Sequence, residues 1–437
     1  MLPEDQVTDL CAALIRFDTT NFGDGKSAGE RPAAEFVAAE LSAAGYEPQL
    51  LEKAPGRTNV VARIPGTDPS AEAVLVHAHL DVVPADASEW SVPPFSGEVR
   101  DGFIWGRGAV DMKDMAAMTL AAVRSWPDRG VRPKRDIVVA FVADEEDDGV
   151  FGARFLAEQH PRLFDGCVIG ISESGGWTYH VSTDSGDTRL YPIACAERGT
   201  LHMRVTARGR AGHGSRPNPE NAVVTLVQAL SRVAAYRWPV HLTPTVRAYL
   251  ERVGAALGVE VDLSSDESVD ATIERLGRAG ELVTATVRNT STPTVLEAGY
   301  KVNVIPGTAT AKIDVRALPG TEEETLATID RLLGPGIERE QLIVNQGVSS
   351  PFDTSWFEAM GDALRAEDPE AVVVPYCMGG GTDAKAFSAL GIDGYGFSPL
   401  GFPVGYNHRG MAHGVDERVP VEAVRFGARV LDRFLLS

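Results

Sequence analysis

The sequence predicts an α/β protein with a mixed, mostly parallel sheet, helices on both faces, and an inserted α+β lid or dimerisation domain. Three features carry this. Up to about residue 190, short apolar strands alternate with helical patterns, as in layered α/β folds. Ile137–Val142, IVVAFV, is apolar at every position, as expected of a central parallel strand buried on both faces. The texture changes near residue 198 and returns near Pro351, which makes the intervening segment an insertion. The predicted domains are a discontinuous one, residues 1–197 with 349–437, and an inserted one, 198–348. A chain of 437 residues is also long enough for two cores.

With 44% hydrophobic and 23% charged residues, the composition is that of an ordinary globular protein. The formal net charge of -20 argues against nucleic acid or an anionic membrane surface as partner. A small substrate is not excluded, because it feels the local field of its pocket. No apolar run is long enough to cross a bilayer, and the first residues are acidic where a secretory leader is basic. Val7, Leu10, Cys11, Leu14 and Phe17 instead recur at the spacing of a surface helix. Cys11, Cys167, Cys195 and Cys377 show no CxxC spacing, so free thiols and a cytoplasmic location are expected.

Taken in order, a helix over 30–44 directs Phe36, Val37 and Leu41 inward and stops at Gly45, and strands follow near 47–51 and 59–64. The next strand begins AVLVHAHLDVVP at Ala73. Its His77, His79 and Asp81 fall at every second position, so an extended backbone points all three to one side. A neutral imidazole is a good zinc ligand, and a carboxylate two residues on can hold its second nitrogen or the polypeptide around it, which makes His79 the ligand and Asp81 the orienter. HxD alone equally describes a strand end with hydrogen-bonded histidines.

WGRGAVDMKDM places Asp111 between a glycine turn and a helix over Met112–Trp126. The 137–142 strand ends in Asp144, Glu145 and Glu146, and the strand Cys167–Ile171 ends near Glu173. Ligands of open α/β sheets bind beyond the carboxyl ends of the strands. Carboxylates gathered there repel one another unless a cation lies among them. The set predicts a metal site, although any one carboxylate alone reads as solvated loop.

In the insertion, LHMRVTARGRAGHGSRP is a strand with a glycine-rich turn, Asn221–Val233 an amphipathic helix, and 250–288 an acidic helical stretch. TATAKIDVRALPG and QLIVNQG flank a helix over 321–333, which suggests a small α+β domain with helices on one face. Beyond it come a helix over Phe357–Leu364, the strand AVVVPY, and GGGTDAKAF, Gly379–Phe387, opening a helix whose N-terminal amides can hold an anion. It lacks GxxxxGK, which argues against a nucleotide loop. YNHRGMAHGVDERVP then brings His408 and His413 just ahead of a C-terminal helix started by Pro420.

Together, HxD at 79–81, GRGAVDMK at 106–113, DEE at 144–146, SE at 172–173, GHGSRP at 212–217, NVIPG at 303–307, DVR at 314–316, GGT at 380–382 and AHGVDERV at 412–419 resemble the dinuclear zinc peptidases and deacylases. That family includes aminoacylase, acetylornithine deacetylase, succinyl-diaminopimelate desuccinylase and glutamate carboxypeptidase. The resemblance runs in order over nearly the whole chain.

It implies that Asp111 bridges two zinc ions, with cobalt or manganese as alternatives. One ion would also be held by His79 and Glu173, the other by Glu146 and His413. Glu145 would be the general base toward a metal-bridged water, and only the resemblance distinguishes it from Glu146. It further implies a cis peptide bond after Asp111, a homodimer in which His213 reaches the partner's site to stabilise an oxyanion, and substrate contacts from Asn303, Arg316 and the Gly380, Gly381, Thr382 turn. A guanidinium suits a free substrate carboxylate through two parallel hydrogen bonds; the plainer role for Arg316 is a strand-surface salt bridge.

The expected function is therefore metal-dependent hydrolysis of the amide bond in N-acyl amino acids or C-terminal peptide residues. Glu173, where other members have aspartate, tilts toward that reading over a dipeptidase or aminopeptidase. A non-catalytic two-domain ligand-binding protein is the rival from another class, but it has no need of Glu145 beside a complete ligand set.

Overall fold

In the computed structural model, which describes residues 1–183 and 186–437, helix α1 (Pro3–Ile15) buries Val7, Leu10, Cys11 and Leu14, the face its periodicity predicts. Phe17 lies beyond its end. Helix α2 (Arg31–Ala43) follows, then strands β1 (Gln49–Glu52), β2 (Thr58–Ile64) and β3 (Ala73–His79). Helix α3 (Lys113–Arg129) ends where Gly130 takes a left-handed φ of 65°, a conformation open to glycine at no steric cost. Strand β4 (Ile137–Val142), helix α4 (Ala153–Gln159), and strands β5 (Cys167–Ser172), β6 (Tyr179–Thr183) and β7 (Gly186–Glu197) complete this part.

The insertion contains β8 (Gly199–Thr200), β9 (Met203–Arg208), α5 (Ala222–Ala235), α6 (Pro244–Leu257), α7 (Asp266–Arg275), β10 (Thr290–Ala298), β11 (Thr308–Ala317), α8 (Glu322–Leu333) and β12 (Ile337–Gln341). The chain closes with α9 (Ser355–Glu367), β13 (Val372–Met378), α10 (Ala384–Ser388), β14 (Asp393–Gly396) and α11 (Val421–Leu436). Two units result: Met1–Cys195 with Ser350–Tyr376 and Thr382–Ser437, and Ala196–Ser349 with Cys377–Gly381.

The sheet of the first unit runs β6-β7-β14-β5-β3-β4-β2-β1. Its centre, β14-β5-β3-β4, is parallel. Its flanks are antiparallel, so β4 pairs parallel with β3 but antiparallel with β2. Every residue of β3 and β4 is buried, which explains their unbroken apolar texture. On one face Leu75, Val138, Ala140 and Val142 pack with Phe155, Leu156, Phe164, Phe387 and Ile392. Elsewhere α1, α3 and α11 pack together, and Trp126 Nε1 donates to Asp432 Oδ1 at 2.7 Å. Among the described residues no helix is long and apolar enough to cross a membrane.

In the second unit the antiparallel order is β12-β9-β11-β10. Helices α5 and α8 bury Leu226, Leu230, Val233, Ile329 and Leu333 against Met203, Val205, Ala311 and Ile313 of the sheet. Helix α5 begins where Asn221 Oδ1 accepts from Val223 and Val224 N–H, at 3.0 and 3.4 Å, satisfying donors a helix start leaves open. The acidic stretch is helical: α6 and α7 are tied in by Tyr249 Oη donating to Ala279 O at 2.7 Å and by the Arg288 fork on Asp270 at 2.7 and 3.0 Å.

Candidate metal centre

Strand β3 delivers His79 at its last position. His79 Nε2 faces Asp111 Oδ1 at 3.1 Å and Glu173 Oε1 at 3.9 Å. His413 Nε2 faces the other oxygen of the same carboxylate, Asp111 Oδ2, at 3.1 Å, and Glu146 Oε2 at 3.3 Å. Asp111 thus stands between two imidazoles, one for each oxygen. Two sets, His79 with Glu145 and Glu173, and His79 with Asp111 and Glu146, have ligand atoms all within 4.8 Å of one another.

These side chains come from five places: the end of β3, the loop before α3, the turn after β4, the end of β5, and the loop before α11. Within the loop before α3, the Asp111–Met112 peptide bond is cis, as the resemblance implies. His413 adopts a left-handed φ of 60°.

The electrostatics are those of a pocket short of positive charge. Burial, reinforced by the charge of Glu173 at Glu145 and of Asp111 at Glu173, holds these two carboxyls well above the usual range, and burial also raises Glu146. Burial disfavours a charge on His79 as well, yet Asp111, Asp81 and the surrounding acids outweigh it and raise its pKa. Asp111 and Glu146 push His413 up to about 10. Burial would raise Asp111 too, but the two imidazoles prevail and lower it.

Glu146 Oε1 is buried without a hydrogen-bond partner among the described residues, an orphan a cation would satisfy. Imidazole nitrogens and carboxylate oxygens are the donor set of zinc and its divalent neighbours. The donor types therefore fit divalent cations, with His79 and Glu173 to one side of Asp111 and His413 and Glu146 to the other.

Of the two roles open to the Asp81 carboxylate, holding the ring nitrogen or holding the polypeptide nearby, the hydrogen bonds favour the second. His79 Nδ1 lies 2.9 Å from the backbone carbonyl of Asp81 but 3.6 Å from its carboxylate. That carboxylate instead accepts from Glu145 N and Glu146 N, at 3.1 and 3.2 Å, and from Asn21 Nδ2 at 2.9 Å. Asp81 therefore steadies the turn that carries Glu145. His77 packs tilted against Phe387 with centroids 4.8 Å apart, and burial pushes it down to about 3, so it is a neutral core histidine. His408 packs against Trp177 and Phe402, at 5.3 and 4.7 Å.

His213, Asn303 and Arg316 belong to the second unit. His213 pairs with Val304 in a short antiparallel bridge, and Gly214 N donates to Asn303 O at 2.9 Å, so His213 and Asn303 share one local structure. Ser215 Oγ lies 2.9 Å from His213 Nδ1. Arg316 donates from Nε and Nη2 to Asp314, at 2.8 and 3.2 Å, and from Nη1 to Thr200 Oγ1 at 2.9 Å. Gly380 and Gly381 group with the second unit and Thr382 with the first. The helix they open, α10, is a five-residue one, too short to gather the amide dipoles an anion site needs.

Several neighbours of the cluster escaped the sequence reading. Arg107 and Glu417 form a buried ion pair at 2.7 Å, and Arg57 joins Glu30 and Asp144 at 3.0 and 2.7 Å. Arg107 and Glu417 stand inside the quoted GRGAVDMK and AHGVDERV segments, and Arg57 directly precedes β2; a charge so placed was the available signal.

Carboxylates and imidazoles converging at the carboxyl ends of a mixed sheet describe an α/β protein with a candidate metal site. Residues 75–437 match Peptidase family M20/M25/M40, and the chain belongs to that family. It is similar to the human N-fatty-acyl-amino acid synthase/hydrolase PM20D1, 30% identical over 372 residues that cover 82% of this chain and 73% of that protein. It is also similar to human aminoacylase-1, 28% identical over 396 residues covering 89% and 85%. Its fold resembles that of an M20 family metallo-carboxypeptidase from Sulfolobus solfataricus, with a TM-score of 0.73, 19% identity, and coverage of 99% of this chain and 98% of that one.

Proposed function

We propose that this hydrolase cleaves the amide bond of N-acyl amino acids or of C-terminal peptide residues, using two zinc ions held by His79, Asp111, Glu146, Glu173 and His413. The observation that carries this is Asp111 presenting one oxygen to His79 and the other to His413, with Glu145 in the same cluster. Two such cations, when bound, polarise a scissile carbonyl and make a water acidic enough to lose a proton near pH 7. Glu145 takes that proton and delivers it to the departing amine. Cobalt or manganese could replace zinc, because availability as much as affinity decides.

Arg316 receives the free carboxylate of the substrate. Asp314 and Thr200 hold its guanidinium through three of the five N–H donors a guanidinium carries. Asn303 and the Gly380, Gly381, Thr382 turn complete the contacts, and His213 stabilises the oxyanion.

The protein works as a homodimer through the second unit, with His213 supplied in trans. Strand β10 pairs only with β11 among the described strands, and its Leu296 is 59% exposed while nearby Val302 is fully exposed. An apolar edge of this kind invites a partner. The free, buried cysteines suit the cytoplasm.

The test is a hydrolysis screen of the metal-loaded protein against N-acyl amino acids of varied acyl length and against free dipeptides, read by mass spectrometry. Turnover of the first group is expected. Preference for dipeptides with a free amine would transfer the protein to the dipeptidase reading, and binding without turnover of either group would make it a ligand-binding protein.

A further inference from the structure

The turn bearing Glu145 and Glu146 has little regular structure of its own. It is a single 3-10 turn, Glu145–Asp147, between Asp144 and Asp148, both left-handed with φ of 71° and 74°. Such a segment is positioned by what its polar groups are bonded to, and here those bonds lead to the start of β2.

Arg57 Nη2 donates to Asp144 Oδ1 at 2.7 Å, while its Nε spans both oxygens of Glu30 at 3.2 and 3.0 Å. The other oxygen of Asp144 accepts from Phe151 N at 3.0 Å, and its carbonyl accepts from Gly149 N at 2.7 Å. The Arg57 guanidinium lies 5.0 Å from the centroid of the Phe151 ring. Two residues along β2, Asn59 accepts from Ala143 N and donates to Phe151 O, each at 2.9 Å. Asn21 Nδ2 bridges Asp81 and Asp144, at 2.9 and 3.2 Å. Arg57 is 5% exposed, and Glu30 and Asp144 are wholly buried.

We propose that Arg57 is a positioning residue for the reaction: acting through Asp144, it sets where the Glu145 and Glu146 carboxylates stand. The inference rests on the reading of Glu145 as base and Glu146 as ligand. A buried ion pair adds little net stability over well-packed apolar side chains, so stability alone does not account for a guanidinium here. What an apolar side chain cannot supply is a directed donor to Asp144, which ties both ends of the turn. A lysine cannot supply it either, because one ammonium does not reach along two edges as the fork does.

The experiment compares Arg57→Lys and Asp144→Asn with the wild-type chain. Denaturation midpoint, metal stoichiometry, the visible spectrum of the cobalt-loaded protein, and kcat and KM are measured for each. Groups that orient ligands typically contribute about 10–100-fold in metal affinity or activity. Both variants are therefore expected to fold, to show an altered cobalt spectrum, and to lose that factor in kcat with little change in KM. If Arg57→Lys fails to fold, Asp144→Asn carries the same expectation. A wild-type spectrum and kcat in a folded variant, with only the midpoint lowered, overturns the proposal. Glu145→Gln run in parallel separates the two levels: normal turnover there refutes the base assignment, whereas impaired turnover beside normal positioning variants refutes Arg57 alone.

Discussion

Glu417 Oε1 accepts the backbone N–H of Val110 at 2.8 Å, joining residues 307 apart in the sequence. Its other oxygen takes Arg107 Nη1 at 2.7 Å. One buried side chain, four positions beyond His413, thereby fixes the residue just before Asp111.

This carboxyl has a predictable pH signature. Burial lifts it from 4.5 to about 7, against the opposing pull of Val110 N–H and Arg107. An acid whose folded pKa is raised adds stability that is complete below its unfolded value and is lost as pH rises through the folded one. For the metal-free protein, the part due to Glu417 should disappear between pH 4.5 and about 7, a loss of at most about 3 kcal/mol. Urea unfolding of wild type and Glu417→Gln at pH 5 and pH 8 is the check. The variant should be less pH-sensitive, and parallel behaviour of the two proteins contradicts the assignment.

Glu145→Gln should retain two metal ions per chain by elemental analysis and leave substrate affinity nearly intact, because the amide keeps the shape of the side chain but cannot accept a proton. Loss of a general base typically lowers kcat by about 10²–10⁴. Asp111→Ala, in contrast, should fail to hold two ions, since it removes an oxygen from each set. Full stoichiometry in that variant is incompatible with a bridging role.

Substrates with their carboxylate blocked as an amide test Arg316. The wild type should discriminate strongly against them and Arg316→Ala should not, with kcat/KM for the free acid falling by about 2–5 kcal/mol equivalent if the pair is desolvated. Arg316→Lys should fall between, having charge without the fork. Equal discrimination by wild type and Arg316→Ala reduces the residue to its pair with Asp314.

Mixing His213→Ala subunits with Glu145→Gln subunits should recover activity, because a mixed dimer would contain one site with both groups intact. Verified mixed dimers without recovery place delivery of His213 within one chain.

The strand ends and helix positions were legible in the sequence because periodicity acts over short stretches, whereas the set His79, Asp111, Glu146, Glu173 and His413 was named as a set only through the family resemblance. The antiparallel side of β4 was not: a strand buried on both faces reads IVVAFV whichever way its neighbours run. The work of the Asp81 carboxylate was hidden for a different reason. Its donors, Glu145 N and Glu146 N, face it only after the turn beyond β4 folds back. Arg57 bonds to residues 27 and 87 positions away, separations over which a single sequence carries no periodic signal.

The chain leaves for its second unit along Ala196–Glu197 and returns along Val348–Ser349, and these residues are antiparallel partners in register. The departure and return of the chain thus meet in one strand pair, as close together as the ends of a hairpin. Cut there and sealed with a short turn such as Asn-Gly, the two loose ends meet without rerouting any strand of the larger sheet. A shorter or longer segment inserted between the same residues leaves the threading of the larger sheet as it is.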